Sequence, residues 1–173
     1  MKAIVLSERK TNAQFVDVDE PVAGTGEVVV KLAAAALNRR DFWITQDLYP
    51  NITTPVILGS DGTGTVESTG AECGDWQAGD EVVIYPAADW GDNEHAQSDS
   101  FTVLGMPSPG TFAERVKVST TQLHRKPNYL SWSEAAAIPV AGITAYRALL
   151  IQGQLQPGQR VFITGIGGGV AVF

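Results

Sequence analysis

The stretch Val161-Phe162-Ile163-Thr164-Gly165-Ile166-Gly167-Gly168-Gly169-Val170 reads as a buried strand entering a glycine-rich turn and the start of a helix. Closely spaced glycines in such a turn let backbone amides approach a diphosphate, and the dipole of the following helix favours its negative charge. Gly165 and Gly167 supply the first two glycines of a G-x-G-x-x-G pattern. Val170 stands at the third, whose task is close packing of helix on strand. A strand, turn and helix without any ligand is the alternative reading. A complete strand-helix-strand crossover takes roughly 30 or more residues, so the stretch is expected to open a nucleotide-binding unit that this chain does not complete.

Upstream, Pro157-Gly158 turns the chain into that strand, and a helical pattern over 143–152 ends near Gly153. Ser131-Trp132-Ser133-Glu134 matches a capping box ahead of an alanine-rich helix, which Pro139 interrupts. The first two thirds are different, with short β-like runs between Gly, Pro and Asp turns. Residues 1–7 suit a first strand, and residues 27–32 alternate Val28, Val30 and Leu32 against Val29 and Lys31. Residues 62–69 and 81–85 are rich in β-branched side chains, and 112–118 alternate again. Such spacing predicts a partly open barrel or sandwich. A short helix is expected over 38–47, stopped by Pro50, and a polar lobe or long loop over 89–109.

A formal charge of −7, from 12 Lys and Arg against 19 Asp and Glu, removes the basic footprint of a nucleic-acid binder. The single cysteine, Cys73, excludes an internal disulfide and any multi-cysteine zinc cluster, and its polar turn suggests an incidental surface thiol. No run approaches the ~18 apolar residues of a membrane span, and the N-terminus does not resemble a signal peptide. A cytoplasmic protein without membrane or nucleic-acid partners is expected.

Seven pieces in order resemble the medium-chain dehydrogenase/reductase superfamily. They are Met1-Lys2-Ala3-Ile4, Ala36-Leu37-Asn38-Arg39-Arg40-Asp41, Leu58-Gly59-Ser60-Asp61-Gly62-Thr63-Gly64, Gly79-Asp80-Glu81-Val82, Gly110-Thr111-Phe112-Ala113-Glu114, Ala141-Gly142-Ile143-Thr144-Ala145-Tyr146 and the glycine turn. The resemblance implies a mainly β fold with some α. A GroES-like partly open barrel over 1–130, carrying the lobe 89–109, would precede interdomain helices and an incomplete Rossmann domain over 131–173. Family members are considerably longer, so the chain is expected to be an N-terminal part with little or no turnover alone.

Zinc-dependent members carry Cys, His and Cys ligands where this chain has Asn38, Ser60 and Val140, and a glutamate where it has Asp61. The expectation is no catalytic zinc, which moves the resemblance to the zinc-independent branch of quinone oxidoreductases and enoyl reductases. Those enzymes use NADPH, or NADH, to pass hydride to a quinone or conjugated carbonyl. The resemblance places Asn38 beside the nicotinamide, with a helix N-cap as its other reading. Arg39 would reach the cofactor diphosphate, and Thr144 would face the nicotinamide unless it only bonds back to its own turn. Gly165, Gly167, Gly168, Gly169 and Val170 would cradle the diphosphate. Tyr49 would donate a proton or orient the substrate, or else pack before the proline turn; Trp43 would wall the pocket or belong to the core.

The chain alone is expected to bind cofactor weakly or not at all. Unpaired edges at 161–164 suggest a homo-oligomer or strand-exchanged dimer. A stand-alone GroES-like domain with a binding or structural role is the competing expectation.

Overall fold

The computed structural model describes residues 1–173. In chain order its elements are β1 (Lys2–Leu6), β2 (Gln14–Asp17), β3 (Glu27–Ala36), α1 (Arg39–Thr45), β4 (Val56–Ile57), β5 (Asp61–Thr69), β6 (Glu81–Ile84), β7 (Ala87–Ala88), β8 (Thr102–Val103), β9 (Arg115–Ser119), β10 (Leu123–Arg125), α2 (Trp132–Ala136) and α3 (Pro139–Tyr146). A π-helical turn, Arg147–Gln152, continues α3, and a 3₁₀ turn covers Gly169–Val172.

Every strand pairing is antiparallel. The main sheet has the order β10-β6-β5-β3-β9, a smaller one β2-β1-β4, and β7 pairs with β8. Val28 and Val30 of β3, Val66 of β5, Val82 and Ile84 of β6, and Val116 and Val118 of β9 share one core. Each strand places its alternate β-branched residues on the same face, which removes them from water together. A second core joins Leu6, Ile44, Val56, Leu58 and Met106, drawing α1 and the root of the lobe onto the small sheet.

Two glycines set the turn at the head of β5. Gly59 takes a φ of +93°, and a side chain there would strike the Phe112 ring. Gly110 passes so close that a Cβ on it would clash with the Gly59 carbonyl oxygen. Only hydrogen fits between these backbones, and their contact fixes where Ser60 and Asp61 point.

The strands expected in the first two thirds are all present, and α1 lies within the helix expected at 38–47. The alanine-rich helix is two helices: α2 ends before Pro139, and Pro139 itself opens α3, where its missing N–H costs nothing. The lobe leaves the sheet after Ala88, and β8 closes its root by pairing with β7. Leu104 and Met106 then return to the two cores.

Two expectations are corrected. Cys73 is not a surface thiol: it is 8% exposed and packs in the larger core, its Sγ donating to the Glu27 carbonyl at 3.1 Å. Glu72 and Asp75 face out of the turn to keep their charges in water, while the weakly polar thiol between them turns in. The buried strand expected at 161–164 is also not formed. A parallel strand needs a neighbour for its ladder and helices for its faces. None of these 173 residues supplies either, and Phe162 is 90% exposed.

Candidate active site

Asp61 opens β5 and is the junction of the site. Its Oδ2 accepts from Asn38 Nδ2 and its Oδ1 from the Val140 amide, both at 2.9 Å. One carboxylate therefore ties the head of α1 to the first turn of α3. Asp61 is 1% exposed, and its burial pushes the carboxyl pKa up to about 6; the bonds from Asn38 and Val140 oppose that rise. Asp41, in the first turn of α1, accepts from the Asn38 amide at 2.7 Å through Oδ2. Its other oxygen is buried without a hydrogen bond, and desolvation raises this carboxyl as well.

Asn38 sits at the N-cap of α1, where it forms a capping box with Asp41, and its carboxamide Nδ2 donates to Asp61. Ser60, fully buried, donates to the Leu104 carbonyl at 2.9 Å and receives a short bond from Arg40 Nη1. Arg40 also donates to the carbonyls of Leu104 at 2.6 Å and Met106 at 3.1 Å, and lies 5.3 Å from the Tyr49 ring centroid. A guanidinium thus occupies the neighbourhood of Ser60.

Arg40, Tyr49, Val140 and Thr144 line a cleft of about 420 Å³ between the barrel, the lobe and α3. The lobe contributes Trp90 and Phe101, whose rings meet edge to face with centroids 5.0 Å apart. Arg147, from the π-helical turn, lies 4.2 Å from the Trp90 ring centroid and donates to the carbonyls of Glu94 and His95 at 2.5 and 3.1 Å. These contacts seat the lobe on the end of α3.

Of the residues expected at the site, Tyr49 and Thr144 line the cleft, and Asn38 stands behind it through Asp61. Thr144 Oγ1 bonds back to the Val140 carbonyl at 2.6 Å and remains free to accept. Arg39 is exposed and makes no side-chain hydrogen bond, because α1 turns Asp41 and Ile44 inward and carries Arg40, four residues before Ile44, toward that face. Trp43 is not among the residues lining this cleft; it packs on Phe42, 5.0 Å between centroids, and is 38% exposed. Residues 165–170 do not line it either. They form a turn and the 3₁₀ segment, where Gly169 lies beside Ala141 of α3 with room for a Cβ in ordinary contact with that methyl, at 3.5 Å. Arg40 and Arg147 were missed as polar members of the site, while Ser60 and Asp61 were expected only as residues standing where zinc enzymes carry metal-site side chains. The phase of Arg40 relative to Ile44 was the available signal for the first.

A zinc ion does not fit this donor set. Asn38 presents an amide already donating to Asp61, Ser60 lies under a guanidinium that repels a dication, and the Val140 side chain is hydrocarbon. Zinc requires thiolate, imidazole or carboxylate, and no group of three His, Cys, Asp or Glu stands ready to hold a metal. The glycine turn is open to solvent, with no side chain that would obstruct a diphosphate. Gly165 has a φ of +69°, and no atom lies within 4 Å of where a side chain would begin on Gly165 or Gly167.

The family described as alcohol dehydrogenase GroES-like domain matches residues 24–128. The chain belongs to that family and to the medium-chain dehydrogenase/reductase superfamily. It is 36% identical over 165 residues to the zinc-type alcohol dehydrogenase-like protein YogA of Leptosphaeria maculans, covering 90% of this chain and 46% of that one. It is 32% identical to an acryloyl-coenzyme A reductase of Sulfurisphaera tokodaii, covering 99% of this chain and 53% of that one. The crystal structure of an NAD-dependent alcohol dehydrogenase superposes with a TM-score of 0.90 at 35% identity, over 99% of this chain and 53% of the other. The chain spans about half the length of the relatives it matches. No helix is long and apolar enough to cross a membrane.

Proposed function

We propose that this chain is the substrate-side part of a zinc-independent, NADPH- or NADH-dependent reductase that passes hydride to a quinone or conjugated carbonyl. The observation that carries this reading is the guanidinium of Arg40 bonded to Ser60, at the point where zinc enzymes of the superfamily place a metal ligand. Polarisation of an acceptor oxygen there falls to fixed hydrogen-bond donors. The name of the Sulfurisphaera relative, a reductase of an acryloyl thioester, supports the choice of a conjugated acceptor.

When bound, the reduced nicotinamide supplies the hydride. The chain's own residues position and protonate. Asn38, held by Asp61, presents its carboxamide to the nicotinamide end, with Thr144 across the cleft. Arg39 and the amides of Gly165, Gly167, Gly168 and Gly169, with Val170 behind them, would hold the diphosphate. The Tyr49 hydroxyl orients the acceptor oxygen or gives it a proton as hydride arrives at carbon.

The test is turnover and elemental analysis of the complete protein. Oxidation of NADPH or NADH by a quinone or enone, with less than stoichiometric zinc and no loss of rate in chelator, is expected. Stoichiometric zinc, or no oxidation of either nucleotide by any such acceptor, overturns the proposal.

A further inference from the structure

The twelve Lys and Arg of this chain divide sharply by partner. Seven are paired with carboxylates: Lys2, Arg9, Lys10, Arg115, Lys117, Arg125 and Lys126. Of the five that are not, Lys31, Arg39 and Arg160 are exposed to solvent. The other two, Arg40 and Arg147, are both half-buried, and both line the same cleft. No Asp or Glu lines that cleft with them, in a chain where acids outnumber bases 19 to 12.

The partners these two arginines do have are neutral. Arg40 bonds to a hydroxyl and two carbonyls, and Arg147 to two carbonyls. Each lies against an aromatic ring, Tyr49 and Trp90 respectively. Holding the lobe explains the bonds but not the charge, since a neutral donor serves a carbonyl as well. Keeping a cation away from water without a counter-charge is costly. Asp41 and Asp61 are near enough to feel Arg40, but neither touches it, and burial disfavours the charged form of both.

We infer that the cleft takes a planar conjugated carbonyl compound that itself carries an anionic group, whose charge Arg40 and Arg147 complement while Tyr49, Trp90 and Phe101 cover its faces. This rests on the reading of the cleft as the acceptor site and narrows its substrate class. A charge-assisted bond to each guanidinium supplies affinity and orientation that a neutral acceptor would forgo.

The experiment is calorimetric titration of this chain with 1,4-naphthoquinone-2-sulfonate and with neutral 1,4-naphthoquinone. The sulfonate is expected to bind at least about tenfold more tightly, and the preference to shrink as salt is raised. Arg147→Met, at the edge of the lobe, and Arg40→Met are each expected to erase most of that preference, read as the ratio of the two probes' affinities on the same variant. Arg147→Met keeps the test open if Arg40→Met fails to fold. Equal affinity for the two probes, no measurable sulfonate binding, or a preference untouched by Arg147→Met overturns the inference. Reduction of neutral quinone by the complete protein, without a sulfonate preference, would sink this inference and leave the reductase reading standing. A sulfonate preference without any reduction by the complete protein would do the reverse.

Discussion

The Asp61 carboxylate accepts the backbone amide of Val140 at 2.9 Å, across 79 positions of sequence. That bond, with its companion from Asn38, joins the barrel to the helices that form the far wall of the cleft. Asp61→Ala would leave the part-buried Asn38 carboxamide Nδ2 and Val140 N–H without this acceptor. A loss of about 1–3 kcal/mol of stability is expected, read from urea denaturation.

The same carboxyl makes stability depend on pH. Folding raises its pKa to about 6 from 3.8, so the native state holds this proton more tightly than the unfolded chain. Stability therefore falls as pH rises from about 4 to about 6, and Asp41 acts in the same direction. Exposed carboxylates held low by neighbouring cations, Asp17 and Glu67 among them, act oppositely at lower pH. Their contribution disappears as pH falls below about 4. Midpoint temperature is expected to be highest near pH 4–5, roughly where the two windows meet. Asp61→Asn should flatten the decline on the alkaline side, which a thermal scan across pH would reveal.

Gly110→Ala is expected to destabilise by about 1–3 kcal/mol or more, because its Cβ would enter the Gly59 carbonyl. Gly167→Ala, with open space around it, should change stability by less than about 0.5 kcal/mol. Denaturation midpoints of the two variants test the contrast.

The capping box at the head of α2 is reciprocal. Ser131 Oγ accepts the Glu134 amide at 3.3 Å, and Glu134 Oε2 accepts the Ser131 amide at 2.9 Å. Ser131→Ala should cost about 1 kcal/mol, measured by the same denaturation.

Cys73, buried against β3, should react with a thiol reagent far more slowly in the native chain than in denaturant. The rate should follow local opening of the turn at 71–75, which stopped-flow absorbance would follow.

What the linear sequence determined was local. Alternating apolar residues placed β3 and β9, because a strand's period of two is visible in any window of six residues, and a β-branched run between turn signals placed β6. Ser131 and Glu134 marked the start of α2, since a capping box is complete within four positions. The absence of Cys or His at 38, 60 and 140 was legible in the same way. What the tertiary structure alone decided was which distant groups meet. Asp61 became a junction only because β5 begins where two helices start, and Arg40 displaced Arg39 from the site through the phase of a seven-residue helix. Cys73 went inside against its polar neighbours, and the segment 161–164 stayed unpaired for want of a neighbouring strand. The gathering of Arg40 and Arg147 in one acid-free cleft has no trace in the order of residues. Charge balance at a point depends on spatial neighbours, and those are set by packing rather than by sequence distance.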